Sequence, residues 1–193
     1  MKSIYRLVAL SAAALLFANV SVAADPYSST VRLFKNAGES NAFFGSSHGY
    51  AIFPSIGKGG LGIGGAYGKG RVYDRGKLIG DVSMTQVSLG FQAGGQAYSE
   101  IIFFENKAAL SEFTEGNFEF GGDIGAIAIT ASANASASTS GGPSAGASGS
   151  KKEAVTTGSY HKGVAVFTIA KGGLMYEAAV QGQKFSYKKR GAK

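Results

Sequence analysis

The sequence predicts an α+β, β-rich domain. Its expected frame is a strongly curved or partly closed antiparallel sheet, with short N-terminal helices and one helix near 106–115. Three observations predict it. From Tyr50 to Phe104 the chain reads mainly as β structure, with apolar residues alternating with polar or small ones, the period of half-buried strands. The chain holds 30 glycines, and Gly60, Gly62 and Gly64 recur at every second position. One face of that strand therefore lacks side chains, which lets a sheet bend or another backbone approach. Helical spacing is confined to short segments.

Taken in order, the first 24 residues read as an export signal. Lys2 and Arg6 precede an apolar, Ala-rich run from Leu7 to Val22, and Ser21-Val22-Ala23-Ala24 offers small residues for cleavage. The run is short for a membrane span of about 20 residues. Residues 25–193 are then expected to form one domain. The chain has no cysteine, so disulfides, thiolate metal sites and a lipid-modified cysteine are excluded, and the domain must be held by its own core.

Residues 27–46 predict short helix, with Ser28 or Ser29 as cap, Val31, Phe34, Phe43 and Phe44 on the apolar side, and Gly38 as punctuation. In the β region that follows, Val82, Met84 and Gln86 share one face. Ile101 to Phe104 is a continuous apolar run, expected to be buried on both faces. Asn106 caps a helix lined by Ala109, Leu110 and Phe113 and ended at Gly116-Asn117. Strand resumes from Phe118 to Ala131. Residues 131–150 are nearly all Ala, Ser, Gly, Asn and Thr, a composition of flexible loops. Strands over 157–169 and 174–187 close the domain. The expected core is Ile52, Phe53, Val87, Leu89, Phe91, Ile101, Phe103, Leu110, Phe113, Ile127, Val166, Phe167 and Ile169.

One unit occurs twice. Ala51-Ile52-Phe53-Pro54-Ser55-Ile56-Gly57-Lys58-Gly59-Gly60-Leu61 is echoed by Ala165-Val166-Phe167-Thr168-Ile169-Ala170-Lys171-Gly172-Gly173-Leu174. Counting onward, Arg71 falls opposite Lys184. The expectation is two equivalent hairpins, each with a Lys-Gly-Gly turn, framing one sheet.

Charge is distributed unevenly. The 19 Lys and Arg outnumber the 12 Asp and Glu, and removal of Lys2 and Arg6 with a leader leaves an excess of cations. Basic residues gather at Lys58, Lys69, Arg71, Arg75 and Lys77, and again from Lys184 onward, while acids gather between Glu100 and Asp123. That asymmetry predicts an anionic partner surface.

Catalytic patterns fail on context. Gly57 to Gly62 fits G-x-G-x-x-G, but a strand rather than a helix follows, so no helix N-terminus meets a pyrophosphate. Gly45-Ser46-Ser47-His48-Gly49 fits G-x-S-x-G without the strand before it and the long helix after it. His48 and His161 are the only histidines, too few for an ordinary metal site. No enzyme activity, metal or cofactor is expected.

Tyr50-Ala51-Ile52-Phe53-Pro54, Lys58-Gly59-Gly60, Gly64-Gly65, Gly68-Lys69-Gly70 and Arg71-Val72-Tyr73 resemble the SYLF domain family. Met84 to Gln96, Tyr98-Ser99-Glu100-Ile101-Ile102, Lys171-Gly172-Gly173-Leu174 and Gly182-Gln183-Lys184-Phe185-Ser186-Tyr187 extend the likeness over nearly the whole chain after the leader, most of all to the exported bacterial branch. The resemblance implies a non-enzymatic module of the periplasm or cell envelope that meets anionic phospholipid headgroups, as phosphoinositide-binding relatives do. Lys58, Lys69, Arg71, Lys171 and Lys184 would supply the attraction, assisted by Arg75 and Lys77, on a basic rim opposite the acids around Glu112 and Glu115. Actin, a partner of fungal members, is not expected for a periplasmic protein, and neither is nucleic acid. Two other readings stand beside this one: a small outer-membrane β-barrel, and a structural domain that binds an acidic protein partner.

Overall fold

The computed structural model describes residues 24–61, 63–89, 94–121, 126–129, 159–173 and 182–191. The expected leader, the loop at 131–150, Phe91, and the side chains of Leu89 and Ile127 lie outside the described residues. Two helices come first, α1 (Pro26–Asn36) and α2 (Gly38–Ser46). Four long strands follow: β1 (Gly49–Leu61), β2 (Ile63–Asp74), β3 (Lys77–Leu89) and β4 (Gly94–Phe104). Helix α3 (Lys107–Thr114) leads to β5 (Asn117–Glu119) and β6 (Ala126–Ile129), and then β7 (Val164–Gly173) and β8 (Gln183–Lys189).

The strands form one sheet in the order β5-β8-β3-β2-β1-β4-β7-β6. Seven strands pair antiparallel and curl into a half-barrel, while β6 runs parallel to β7 at the edge. The central β1–β2–β3 meander is closed at one end by a tight turn in which Arg75 (φ 47°) and Gly76 (φ 80°) both take positive φ, the geometry that matches strand twist in two-residue hairpins.

Two cores lie on the two faces. On the concave inner face, Phe53, Ile56, Met84, Ile102, Phe104 and Phe185 pack with Leu110 and Phe113 of α3. Phe185 is a hub, with ring centroids 5.1 Å from Phe113 and 5.0 Å from Phe120. On the convex outer face, Ile52, Ile101, Phe103 and Phe167 pack under Phe34 and Phe43 of α1 and α2. The run Ile101 to Phe104 is fully buried because each residue faces one of these cores. Glycine makes the inner packing possible. A Cβ on Gly70 would lie 2.7 Å from Phe53 Cε1, and one on Gly68 would lie 2.6 Å from Ile56 Cγ1, so both rings and branches cross bare backbone.

Several expectations need correction. Helix α1 is capped by Asp25, whose side chain accepts from the Ser28 N–H, with Pro26 in the first turn; the fixed φ of proline suits that position. Val87 is 75% exposed, because its parity along β3 puts it outside, beyond the reach of α1 and α2. Neither Lys-Gly-Gly segment is a turn. Lys58, Gly59 and Gly60 lie within β1, paired to Ala66, Gly65 and Gly64. In the second copy the described strands do not pair with each other. β7 pairs with β4 and β8 pairs with β3, leaving four strands between them. What the two copies share is a Gly-rich strand end.

Candidate functional site

The sheet register fixes where each expected basic residue stands. On β2, Ala66 and Val72 face inward and Tyr67, Lys69 and Arg71 alternate with them on the outer face. On β8, Phe185 faces inward, so Lys184, Ser186 and Lys188 face outward, and Lys184 pairs in register with Thr85 of β3. Lys58 opposes Ala66 and Gln96 and therefore faces the interior. Lys171 sits in the bulge of β7 between Ala170 and Gly172. Arg75 and Lys77 occupy the β2–β3 turn at the far end, where the Arg75 N–H donates to the His48 carbonyl at 3.0 Å. Thus Lys69, Arg71 and Lys184 share a face; Lys58, Lys171 and Lys184 share an end of the sheet; Arg75 and Lys77 do neither.

Arg71 has structural partners. Its Nη1 is 3.1 Å from Asp25 Oδ2, and its guanidinium lies 3.9 Å above the Tyr27 ring. It clamps the start of α1 to the sheet by an ion pair and a cation–π contact. Beside it, Asp81 accepts two hydrogen bonds from Arg190, at 2.7 and 2.9 Å. That pair holds the Asp81 carboxyl below its ordinary range, chiefly through the hydrogen bond. Lys184 Nζ is 3.4 Å from Glu119 Oε2, with both side chains exposed, an arrangement that holds either loosely.

The same face carries two exposed large side chains, Tyr67 at 51% and Val87 at 75%. Lys184 stands in the cross-strand row of Tyr67 and Thr85, Lys69 lies two positions along β2, and Lys188 lies farther away, opposite Asp81. Tyr67 and Thr85 are cross-strand neighbours, as are Gly65 and Val87. The outer face of β2, β3 and β8 thus combines exposed apolar side chains with cations, several of them paired to Asp25, Asp81 or Glu119.

The inner face carries a second arrangement that the sequence reading did not identify. Toward the strand ends its packing turns from apolar to polar. Gln86, Tyr98, Glu100, Thr168 and Gln183 are all buried there, and Gln183 Nε2 donates to Glu100 Oε2 at 3.0 Å and to Tyr98 Oη at 3.3 Å. Burial raises the Glu100 carboxyl to about 7, against a partial lowering by Gln183. A signal was present: Gln86 continues the apolar Val82-Met84 face, so a polar side chain was bound to enter the core.

His48, at the entry to β1, has its Nε2 3.2 Å from Asp74 Oδ1. Ser47 follows helix α2 instead of preceding one, the reverse of a nucleophile elbow. Among the described residues no group of three or more His, Asp or Glu is placed to hold a metal.

The family model described as "Ysc84: Las17-binding protein actin regulator" matches residues 85–191, more than half of the chain. The chain belongs to this family, the SYLF domains. It is also similar to the protein named Beta cell expansion factor A of Aeromonas veronii, 27% identical over 157 residues. That likeness covers 80% of this chain and 51% of the relative, so the chain spans about half the length of the curated relative it matches. The family-matched region includes Lys171, Lys184, Glu100 and Gln183, while Lys58 to Lys77 precede it.

Proposed function

We propose that this protein is a non-enzymatic lipid-binding module of the bacterial periplasm or cell envelope, docking on anionic phospholipid. The family is known as lipid- and actin-associated. The observation that carries the reading is the outer face of β2, β3 and β8, where Lys69 and Lys184 stand beside the exposed Tyr67, with the exposed Val87 next along β3. A lysine near an anionic bilayer contributes roughly 1 kcal/mol, and an aromatic ring with a polar tip suits the interface between headgroups and acyl chains. Lys58 and Lys171, at the same end of the sheet, extend the cationic field toward the rim. Arg71 supports the site by anchoring α1, and Arg75 and Lys77 serve the opposite end.

An outer-membrane barrel fits less well. Half of the outer face, across β1, β4 and β7, is covered by α1 and α2, where a barrel would present a lipid-facing apolar band.

Flotation of residues 25–193 with vesicles tests the reading. Phosphatidylglycerol vesicles should carry the protein at low salt and release it as salt rises, since the Debye length shrinks to about 8 Å at physiological ionic strength. The combined variant Lys58→Gln, Lys69→Gln, Lys171→Gln and Lys184→Gln should lose binding by two orders of magnitude or more. Undiminished flotation of that variant removes the basic site. Absence of binding by the parent, together with capture of a defined acidic protein, favours the interaction-domain reading.

A further inference from the structure

The polar end of the half-barrel interior is built like a site. Its side chains come from four strands: Gln86 from β3, Tyr98 and Glu100 from β4, Thr168 from β7 and Gln183 from β8, each at most 5% exposed. Register explains the convergence. Gln86 stands opposite Gln183, and Glu100 opposite Thr168. Curvature brings Gln183 to Glu100, although β3, β2 and β1 intervene in the sheet. Beyond this group the inner face continues with Lys58, paired to Gln96, and then with the paired glycines Gly60 and Gly64, which add no side chain to the interior.

The hydrogen bonding of this group is incomplete in one sense only. Glu100 Oε1 and Gln183 Oε1 are buried acceptors that receive no donor among the described residues. A buried acceptor without a donor costs on the order of 1–3 kcal/mol, more when it is charged. No Lys or Arg pairs with Glu100 among the described residues, and Gln183 is its hydrogen-bond donor. Once Glu100 is ionised, what the group lacks is therefore a donor that also carries positive charge.

We propose that the polar end of the half-barrel interior binds a molecule bearing a primary ammonium group, seated on the free oxygens of Glu100 and Gln183. An ammonium offers three donors and no acceptor, which complements two buried acceptor oxygens, one of them on a carboxylate. A neutral polyol satisfies the oxygens but leaves the carboxylate uncompensated in a low-dielectric interior. The titratable groups facing Glu100 are Tyr98 on its own strand and Lys58 toward the strand ends of β1. Ammonium binding favours the ionised carboxylate, so it strengthens as pH rises from 6 to 8. This inference does not rest on docking at the outer face. The ammonium has two sources, a soluble amine or the headgroup of phosphatidylethanolamine.

Calorimetric titration with ethanolamine, with glycerol as the neutral control, at pH 6 and pH 8, reads the soluble source. Flotation with phosphatidylethanolamine, against phosphatidylcholine of equal net charge, reads the lipid source. The expected result is binding in at least one arm that is stronger at pH 8 and weakened at least about 30-fold in Glu100→Gln, as loss of one member of a buried charge pair implies. Glu100→Gln preserves shape and removes the charge, and a thermal melt verifies that it folds. Gln183→Glu, which adds a second acceptor charge, should retain amine binding. The proposal is overturned if neither arm binds, or if binding is equal in the parent and Glu100→Gln. It is also overturned if ethanolamine binds only in Lys58→Gln, for the seat then belongs to the chain's own lysine.

Discussion

Gln183 donates to Glu100 at 3.0 Å across the interior, although three strands stand between theirs in the sheet. This contact spans the concavity and ties the penultimate stretch of the chain to its middle. It also places a carboxylate where water does not reach.

The stability of the protein should therefore fall as pH rises through weakly acidic values. Glu100 is raised from 4.5 to about 7 by burial. Below pH 4.5 the carboxyl is protonated in both folded and unfolded chains. Between 4.5 and 7 the unfolded chain ionises first, which favours unfolding, and above 7 the effect levels off. The loss is on the order of 3 kcal/mol. Urea unfolding at pH 5 and pH 8 checks it: Glu100→Gln should show little of this slope and should exceed the parent in stability at pH 8. A parent and variant with parallel pH profiles would contradict the assignment.

Arg71→Ala should loosen α1 without dissolving the sheet. The ion pair with Asp25 is partly exposed and contributes up to about 1 kcal/mol, and the contact over Tyr27 adds about 0.5–1 kcal/mol. Arg71→Lys keeps the charge and loses the planar stacking, so it should fall between. Hydrogen exchange across 26–36 should accelerate in both variants while β1 to β4 remain protected. Faster exchange of the central strands would place Arg71 in the wrong role.

Gly70→Ala should destabilise by about 1–3 kcal/mol, the usual cost of overpacking. The new methyl would meet Phe53 at 2.7 Å and the Ile52 carbonyl at 2.9 Å. Gly57→Ala, on the same hairpin, meets nothing within 4 Å and serves as the control. Equal denaturation midpoints for the two variants would mean that Phe53 moves aside freely.

Tyr67→Ser with Val87→Ser should reduce vesicle binding chiefly at high salt. Their apolar contribution is not screened, whereas that of Lys69 and Lys184 is. Flotation at two ionic strengths separates the two parts. If the apolar variant loses binding only at low salt, these side chains do not enter the bilayer.

Much of this architecture was legible because period two and period 3.6 leave plain marks. The helix capped by Asn106, the doubly buried Ile101–Phe104 run, and the inward Phe53, Val166 and Phe113 all follow from local pattern. Parity alone did not reveal Val87, since an outward β-branched residue and an inward one look alike until the neighbouring layer is known. The failed hairpin has a different cause. Strand order is decided by pairing between distant segments, and a ten-residue echo carries no information about which neighbour each copy meets. The interior polar group was hidden for the same reason: Glu100 and Gln183 are 83 positions apart, and Glu100 alone reads as one more member of an acidic stretch.

The position of β8 has a temporal consequence. It follows every other described strand along the chain, yet it sits beside β3 and closes the aromatic hub through Phe185. The β1–β2–β3 meander pairs locally and forms early, whereas distant pairings are slow to close. Until residues 183–189 arrive, β3 has an open edge, Phe113 packs on Phe104 and Phe118 but lacks Phe185, and Glu100 lacks its donor. Sheet edge, aromatic hub and buried carboxyl are thus completed by one and the same segment, so a chain cut before residue 183 should leave all three open at once.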